Sequence, residues 1–382
     1  MIWLMLCFFV FLCGLFSAVK KSNILNILCV LCVFILSFFT FINGVDWVNY
    51  YDSFDVGSFS FLELKYEIGF SYLFGLMNII SNNFFIAIMM YYLFCCVILL
   101  YFIKNKIHIN YNIPILLFAM LLFMGVDLFI DQLRQLAAVL ISFFILFDYV
   151  ENNKKNYILL VLASLFHISA LIVAVFFIID GRKGRALYIS FLLFIVGVST
   201  LIALPSLIKV LTAIINIAAL SKLSFYLDRF EVTPRFGFLI LVDIAIIIIS
   251  IFSKNRGMGD AERRYHNLII LSTFMHLSFY FFPIMQRMMG YFYIPHVLLI
   301  SLFFNRIILN KINRYTFCMC SIISIIGFSV FMSSLTGEFR PSIFNWSFLS
   351  INEILDVNKQ YVMKMYKCMD ANSISLGFCS VR

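Results

Sequence analysis

An arginine within an apolar stretch is costly, and this sequence places one in the run Gly125-Val-Asp-Leu-Phe-Ile-Asp-Gln-Leu-Arg134-Gln135. Insertion scales put an arginine at the centre of a membrane helix at about 2.5–3.5 kcal/mol unfavourable, so something must offset it. The guanidinium keeps its proton and matches phosphate oxygens two at a time, which suits an anion site. Pairing with acids is the plainer alternative. Asp127 and Asp131 share a face with Arg134 at i, i+4, i+7 spacing if the helix is continuous there, and a turn in this stretch removes that argument.

Other ionisable groups stand in similar surroundings. His167, in Ala163-Ser-Leu-Phe-His167-Ile-Ser169, lies ten residues after Tyr157, or about 15 Å along a straight helix. That is near mid-bilayer, where it either bonds a neighbouring helix or acts as a base, since its ordinary pKa of about 6.5 permits proton acceptance near neutrality. Arg229, Arg235 and Arg287 occupy short loops between apolar runs, as snorkelling side chains or as further anion ligands, with Asp243 as their expected counter-ion. The segment 43–67 carries Asp46, Asp52, Asp55, Glu63 and Glu67, with Trp47 and Tyr50 among its aromatics. Carboxylates accept hydroxyl hydrogens while rings cover the C–H face of a sugar, and the same rings equally well anchor a loop at the lipid interface. Nucleotide-binding and metal signatures (Gly-x-x-x-x-Gly-Lys, Gly-x-Gly-x-x-Gly, His-Glu-x-x-His) are missing, so no cofactor and no metal are expected.

What must position these residues is a set of membrane helices. Of 382 residues, 63% are hydrophobic and 12% charged, against about 45–50% and 25% in a soluble domain. The fold expected is all-α and polytopic. Apolar runs place spans at 2–19, 24–42, 84–103, 113–130, 133–150, 157–179, 186–204, 207–227, 236–253, 266–283, 290–304 and 315–335, twelve in all. The piece 68–80 is too short to cross and reads as a half-helix or re-entrant segment. Run 2–19 has no basic residues before it and reads as a retained span, not a signal peptide. Residues 1–335 form the transmembrane catalytic domain with an outer loop at 43–83, and 336–382 an extramembrane tail. The net charge of +9 falls mainly in loops of one side, the pattern of cytoplasmic lysines and arginines, so nucleic acid is not implied.

Four short motifs in order carry a family likeness: Gly44-Val-Asp46-Trp-Val-Asn-Tyr50, then Glu67-Ile-Gly-Phe, then Leu133-Arg134-Gln135-Leu-Ala-Ala, then Ala163-Ser-Leu-Phe-His167-Ile-Ser169-Ala-Leu. With the later Gln286-Arg287-Met-Met-Gly-Tyr291-Phe292, they make the chain resemble the EpsG-like branch of the Wzy O-antigen and exopolysaccharide polymerases. The resemblance runs over about residues 20–305 and implies a multi-pass enzyme of the bacterial inner membrane, working in lipopolysaccharide or other polysaccharide biosynthesis. It implies an inverting, metal-independent glycosyltransferase that moves a growing glycan from undecaprenyl diphosphate to the non-reducing end of a lipid-linked repeat unit at the periplasmic face. A chain-length regulator and a flippase of the same pathway are the protein partners this implies.

In that chemistry the leaving diphosphate needs cationic donors, with Arg134 and Arg287 first and Arg229 and Arg235 as alternates. The acceptor hydroxyl needs a base, His167 ahead of Asp46 or Glu67, with Trp47 and Tyr50 toward the sugar. Two rival classes stay open. A flippase for lipid-linked oligosaccharide would line a path to both faces with charge, and a membrane acyltransferase modifying the glycan would need an acyl-donor route from the cytoplasm.

The lysine and arginine census predicts that 43–83 and the tail from Thr336 face the periplasm and the loop Lys254–Tyr265 the cytoplasm. The segment Asp180–Arg185 runs against this pattern. Ser58→Cys should therefore react with an impermeant thiol reagent in cells whose inner membrane is intact. Labelling only after that membrane is opened would reverse the orientation.

Overall fold

In a computed structural model, the structure describes residues 2–20, 22–41, 46–55, 66–106, 111–179, 183–214, 238–252, 259–279, 288–308 and 314–336. Among these, helices account for nearly everything and no strand occurs. Six helices are long and apolar enough to cross a membrane: Ile2–Val19, Asn23–Thr40, Phe84–Asn105, Ile113–Ile130, Leu133–Asn152 and Thr316–Ser334. The chain is thus a multi-pass membrane protein; the further six expected spans do not all appear as separate long helices. The chain divides into two units, Met1–Leu171 with Ile300–Lys311 and Gly327–Arg382, and Ile172–Leu299 with Ile312–Ile326.

The first unit holds α1 (Ile2–Val19), α2 (Asn23–Thr40), α3 (Trp47–Asp55), α4 (Ile68–Ser81), α5 (Phe84–Asn105), α6 (Ile113–Ile130), α7 (Leu133–Asn152) and α8 (Tyr157–Phe166). α7 is its central helix, with nearly all of its residues from Leu133 to Val150 buried inside the protein. Residues such as Phe8, Phe16, Ile79 and Ile158 on α1, α4 and α8 stay exposed, as expected of side chains that meet lipid. α4 has 14 residues, the half-helix expected for this segment.

Asparagines set the boundaries. Asn83, Asn112 and Asn156 accept backbone N–H groups at the starts of α5, α6 and α8, while Asn82 and Asn153 end α4 and α7 in the left-handed conformation. Asn112 also donates to the Gly14 carbonyl at 2.8 Å, and its own carbonyl accepts from Ser301 Oγ at 2.7 Å. It ties α1 and α6 to the helix that carries Ser301.

The second unit contains most of a 3-10 stretch (Ile168–Ile178), followed by α9 (Lys183–Ile214), α10 (Phe238–Phe252), α11 (Asp260–Phe279) and α12 (Met289–Phe292). α13 (Ile294–Ile308) and α14 (Arg314–Thr336) contribute to both units. α9 packs along α11. Two expectations change here. The spans 186–204 and 207–227 are not separated at residues 205–206: α9 runs unbroken through Pro205 to Ile214, about 48 Å for its 32 residues. The span 157–179 is not one helix, because α8 stops at Phe166. At its start, α11 buries Glu262 and His266, both bonded to Thr316 of α14.

Asn112→Ala removes a helix cap worth about 1 kcal/mol and the additional bond to the Gly14 carbonyl, worth about 0.5–1.5 kcal/mol. Asn112→Asp keeps the cap acceptor and loses only the donor. The expected order of thermal unfolding midpoints in detergent is wild type, then Asp, then Ala. Equal midpoints for all three would remove Asn112 as a structural tie.

Candidate functional site

The turn between α6 and α7 falls at Asp131 and Gln132. It cancels the shared helix face expected for Asp127, Asp131 and Arg134. Tyr92 on α5 donates to the Phe129 carbonyl at 2.6 Å and Tyr91 to the Leu133 carbonyl at 3.0 Å, so the break is held from below. Asp131 accepts the Asp46 backbone N–H at 2.7 Å. α6 breaks once more at Gly125 (φ 68°), where Ser334 Oγ of α14 accepts the Val126 N–H at 3.1 Å. A Cβ at Gly125 would lie 2.9 Å from the Ser334 Cβ, so glycine is needed both for its φ and for space.

Arg134 stands two residues into α7 and meets Glu67, the residue that precedes α4. Nη1 donates to Glu67 Oε2 at 2.5 Å. Nε lies 3.5 Å from the Tyr50 hydroxyl, and the guanidinium carbon sits 4.7 Å from the centroid of the Tyr66 ring. Tyr66 is itself fixed by donating to the Asn49 carbonyl at 2.8 Å. Glu67 Oε1 accepts the Ile168 N–H at 3.4 Å and lies 4.0 Å from His167 Nδ1. Burial raises the proton affinity of the Glu67 carboxyl, but Arg134 and then His167 outweigh it and hold the pKa below the usual value. Burial keeps the Tyr50 phenol far above its ordinary value, so it stays protonated.

His167 is not inside a straight helix, as its depth estimate assumed. It is the extended residue (φ −155°, ψ 118°) between α8 and the 3-10 stretch. The Ser169 backbone N–H donates to its Nδ1 at 3.3 Å, with Ser169 Oγ 2.6 Å from the same nitrogen. A backbone amide can only donate, so the neutral ring carries its proton on Nε2. A close crossing brings this break to Glu67: a Cβ at Gly69 would lie 2.8 Å from the Leu165 carbonyl oxygen, leaving glycine as the residue that fits.

The structure therefore brings together Arg134, Glu67, His167 and Tyr50 of the expected site residues, with side chains of the first three 23%, 18% and 25% exposed. Asp46 joins through its backbone. Trp47 is 1% exposed, its ring against Phe41 and Phe84, and Tyr50 is 2% exposed, so both rings are already covered by protein. Arg229, Arg235 and Arg287 lie outside the described residues, and Asp243 is paired with His276 at 2.6 Å. Sequence reasoning gave no role to Ser169 and counted Tyr66 only among the aromatics of the segment 43–67. The signals were there: Tyr66 directly precedes Glu67, and Ser169 sits two residues after the histidine, within reach of its ring. Among the described residues no group of three or more His, Cys, Asp or Glu side chains could hold a metal.

No curated protein and no solved structure matches the chain. Residues 25–344 match the EpsG family. Those residues include all four helix ends that meet at the Arg134 cluster, and the chain, a membrane protein of polysaccharide biosynthesis, belongs to the EpsG family.

Proposed function

We propose that the protein is a polysaccharide polymerase of the bacterial inner membrane, transferring a growing glycan from undecaprenyl diphosphate to the non-reducing end of a lipid-linked repeat unit at the periplasmic face. The observation that carries this reading is Arg134, held by Glu67 and two tyrosines at helix ends, partly exposed, and next to a histidine in a helix break. Glycan transfer from a diphosphate creates negative charge on the leaving oxygen. A cation already fixed in place stabilises that charge without reorganising. The Glu67 and Tyr50 contacts engage two of the five guanidinium donors, and the others suit an oxyanion.

His167 takes a second part in this reading. With Nδ1 occupied by Ser169, its Nε2–H is a donor toward a phosphate or sugar oxygen, which favours binding over the base role that residue type alone suggested. Attack by the acceptor hydroxyl in a single displacement inverts the anomeric carbon. Arg287, Arg229 and Arg235 stay candidates for further phosphate contacts, and Asp46 and Glu67 for the acceptor.

Cells lacking the gene are expected to carry one repeat unit per lipid. Trapped cytoplasmic units would indicate a flippase instead, and full-length unacylated chains an acyltransferase. Arg134→Ala should abolish long chains while the protein accumulates, and Arg134→Lys should restore little, because the fork geometry is lost with the charge kept. His167→Gln, which keeps a donor, should retain more activity than His167→Ala. The readout is the ladder of chain lengths, with transfer by purified protein slowed about 100-fold or more in Arg134→Ala. A normal ladder from Arg134→Ala removes the diphosphate assignment.

The Glu67 pairing makes a separate prediction. Because the folded protein holds this carboxyl below its ordinary pKa, its contribution to stability is present above about pH 4.5 and is lost as pH falls through the lowered value. Glu67→Gln lacks it throughout. The two unfolding midpoints should differ at pH 7 and converge toward pH 3; parallel curves would show that the pair does not stabilise the fold.

A further inference from the structure

Four lysines gather in the first unit, at the opposite end of α7 from Arg134. Lys106, which closes α5, donates from Nζ to Asp148 Oδ1 at 2.7 Å, and the backbone N–H of Lys154 donates to the Asp148 carbonyl at 3.1 Å. Asp148 is 3% exposed, so one buried residue of α7 joins the end of α5 to the connection that leads into α8. Lys104 stands two residues before Lys106, and Lys155 follows Lys154; Lys104, Lys154 and Lys155 are exposed. The other acid of this end, Glu151, accepts from the Tyr111 hydroxyl at 2.5 Å. Among the described residues, Asp148 is the one carboxylate paired with any of the four lysines.

Topology alone does not ask for this arrangement. Lysines that set orientation act from anywhere within roughly 15–20 residues of a span end, whereas these are drawn together by the side chain and the carbonyl of a single residue. An ammonium has three donors, and Asp148 takes one of those on Lys106, whose side chain stays 31% exposed. The cluster also lies at a defined depth. Tyr101, one turn before Lys104, and Tyr157, two residues after Lys155, are both exposed and end the exposed apolar faces of α5 and α8, which carry Val97, Ile158 and Val161. The Tyr101 ring rests on Phe144, with centroids 6.0 Å apart. Such tyrosines, with an apolar body and a wet hydroxyl, mark the boundary between hydrocarbon and headgroups. Positive charge just beyond two lipid-facing apolar surfaces fits a ligand with an anionic head and apolar chains.

We propose that the ends of α5 and α7 and the start of α8 form a binding site for an anionic phospholipid. Lys104, Lys106, Lys154 and Lys155 hold its phosphate, and its acyl chains lie on the exposed faces of α5 and α8. The site is independent of the polymerase reading, since it uses none of the residues around Arg134. A zwitterionic lipid carries the same phosphate, but the lysines repel its ammonium, so the net charge of the head decides. Each lysine near an anionic surface contributes about fivefold to binding.

The test uses the full-length protein in detergent with equal amounts of phosphatidylglycerol and phosphatidylcholine of the same chain length. The lipids retained on the intact protein are counted by mass spectrometry. Wild type should retain phosphatidylglycerol at least about tenfold over phosphatidylcholine. Lys104→Gln with Lys154→Gln and Lys155→Gln should bring the two lipids close to parity, while arginine at the same three positions, which keeps the charge, should keep the preference. Equal retention by wild type, or an undiminished preference in the glutamine variant, would overturn the proposal. If the triple variant does not accumulate, Lys154→Gln with Lys155→Gln should still lower the preference at least about fivefold, and an unchanged preference there is equally fatal. Inorganic phosphate separates a lipid from a free anion. At millimolar concentration it should displace no more phosphatidylglycerol than chloride of equal ionic strength does; selective displacement by phosphate would reveal a free-anion site and overturn the lipid assignment.

Discussion

In hydrocarbon, every backbone N–H and C=O must find a partner within the protein, so a helix can break only where side chains or neighbouring backbone take over. This constraint shapes the first unit of the chain. α6 breaks at Gly125, where Ser334 takes the Val126 amide, and again after Ile130, where Tyr92 takes the Phe129 carbonyl. α8 breaks at His167, where Glu67 takes the Ile168 amide. The groups that satisfy these breaks are the same groups that fix the polar site. Glu67 shows the economy of it, since one carboxylate bonds an exposed amide with one oxygen and Arg134 with the other.

That double use explains how an arginine is kept so close to an apolar core. Two charges taken partly out of water lose hydration, and a single contact between them repays it only with good geometry and further bonds. Here the guanidinium has the Glu67 oxygen, the Tyr50 hydroxyl and the face of Tyr66. The tyrosines are anchored in turn: Tyr66 through the Asn49 carbonyl, and Tyr50 against the rings of Tyr66 and Phe70. An aromatic cluster of Phe54, Phe70, Phe74 and Phe84 packs α3, α4 and α5 together under this arrangement. The short helix α3 is therefore a lid of the core, with its aromatic residues used as packing.

Much of this was legible because hydropathy and charge act over long stretches. The spans from Ile2 to Asn152, the half-helix at Ile68 and a turn between Gly125 and Arg134 follow from run length alone. Residues 25–344 match the family that the short motifs around Asp46, Glu67, Arg134 and His167 suggested. The break at His167 was not legible, because Ala-Ser-Leu-Phe-His-Ile-Ser-Ala is as apolar and helix-compatible as its surroundings. What breaks it is tertiary, namely the Glu67 oxygen offered to Ile168 and the close crossing at Gly69. The boundary expected between the runs 186–204 and 207–227 erred in the other direction, since α9 continues through Pro205. Asparagine acts here by position, at the ends of α4, α5, α6, α7 and α8, which hydropathy does not reveal. The pairing of Asp243 was hidden for a similar reason, since 33 residues separate it from His276 and only packing of α10 on α11 joins them.

The Arg134–Glu67 contact also bears on how such a site could take an anion. A fully buried pair would have to be broken at great cost before any ligand entered. Both side chains here keep some exposure, 23% and 18%, so water and ligand oxygens can reach them. In the polymerase reading proposed above, an arriving phosphate would compete with Glu67 for the same cation. The ion pair that offsets the cost of the arginine is thus also open enough to exchange Glu67 for an incoming anion, as the proposed diphosphate role of Arg134 requires.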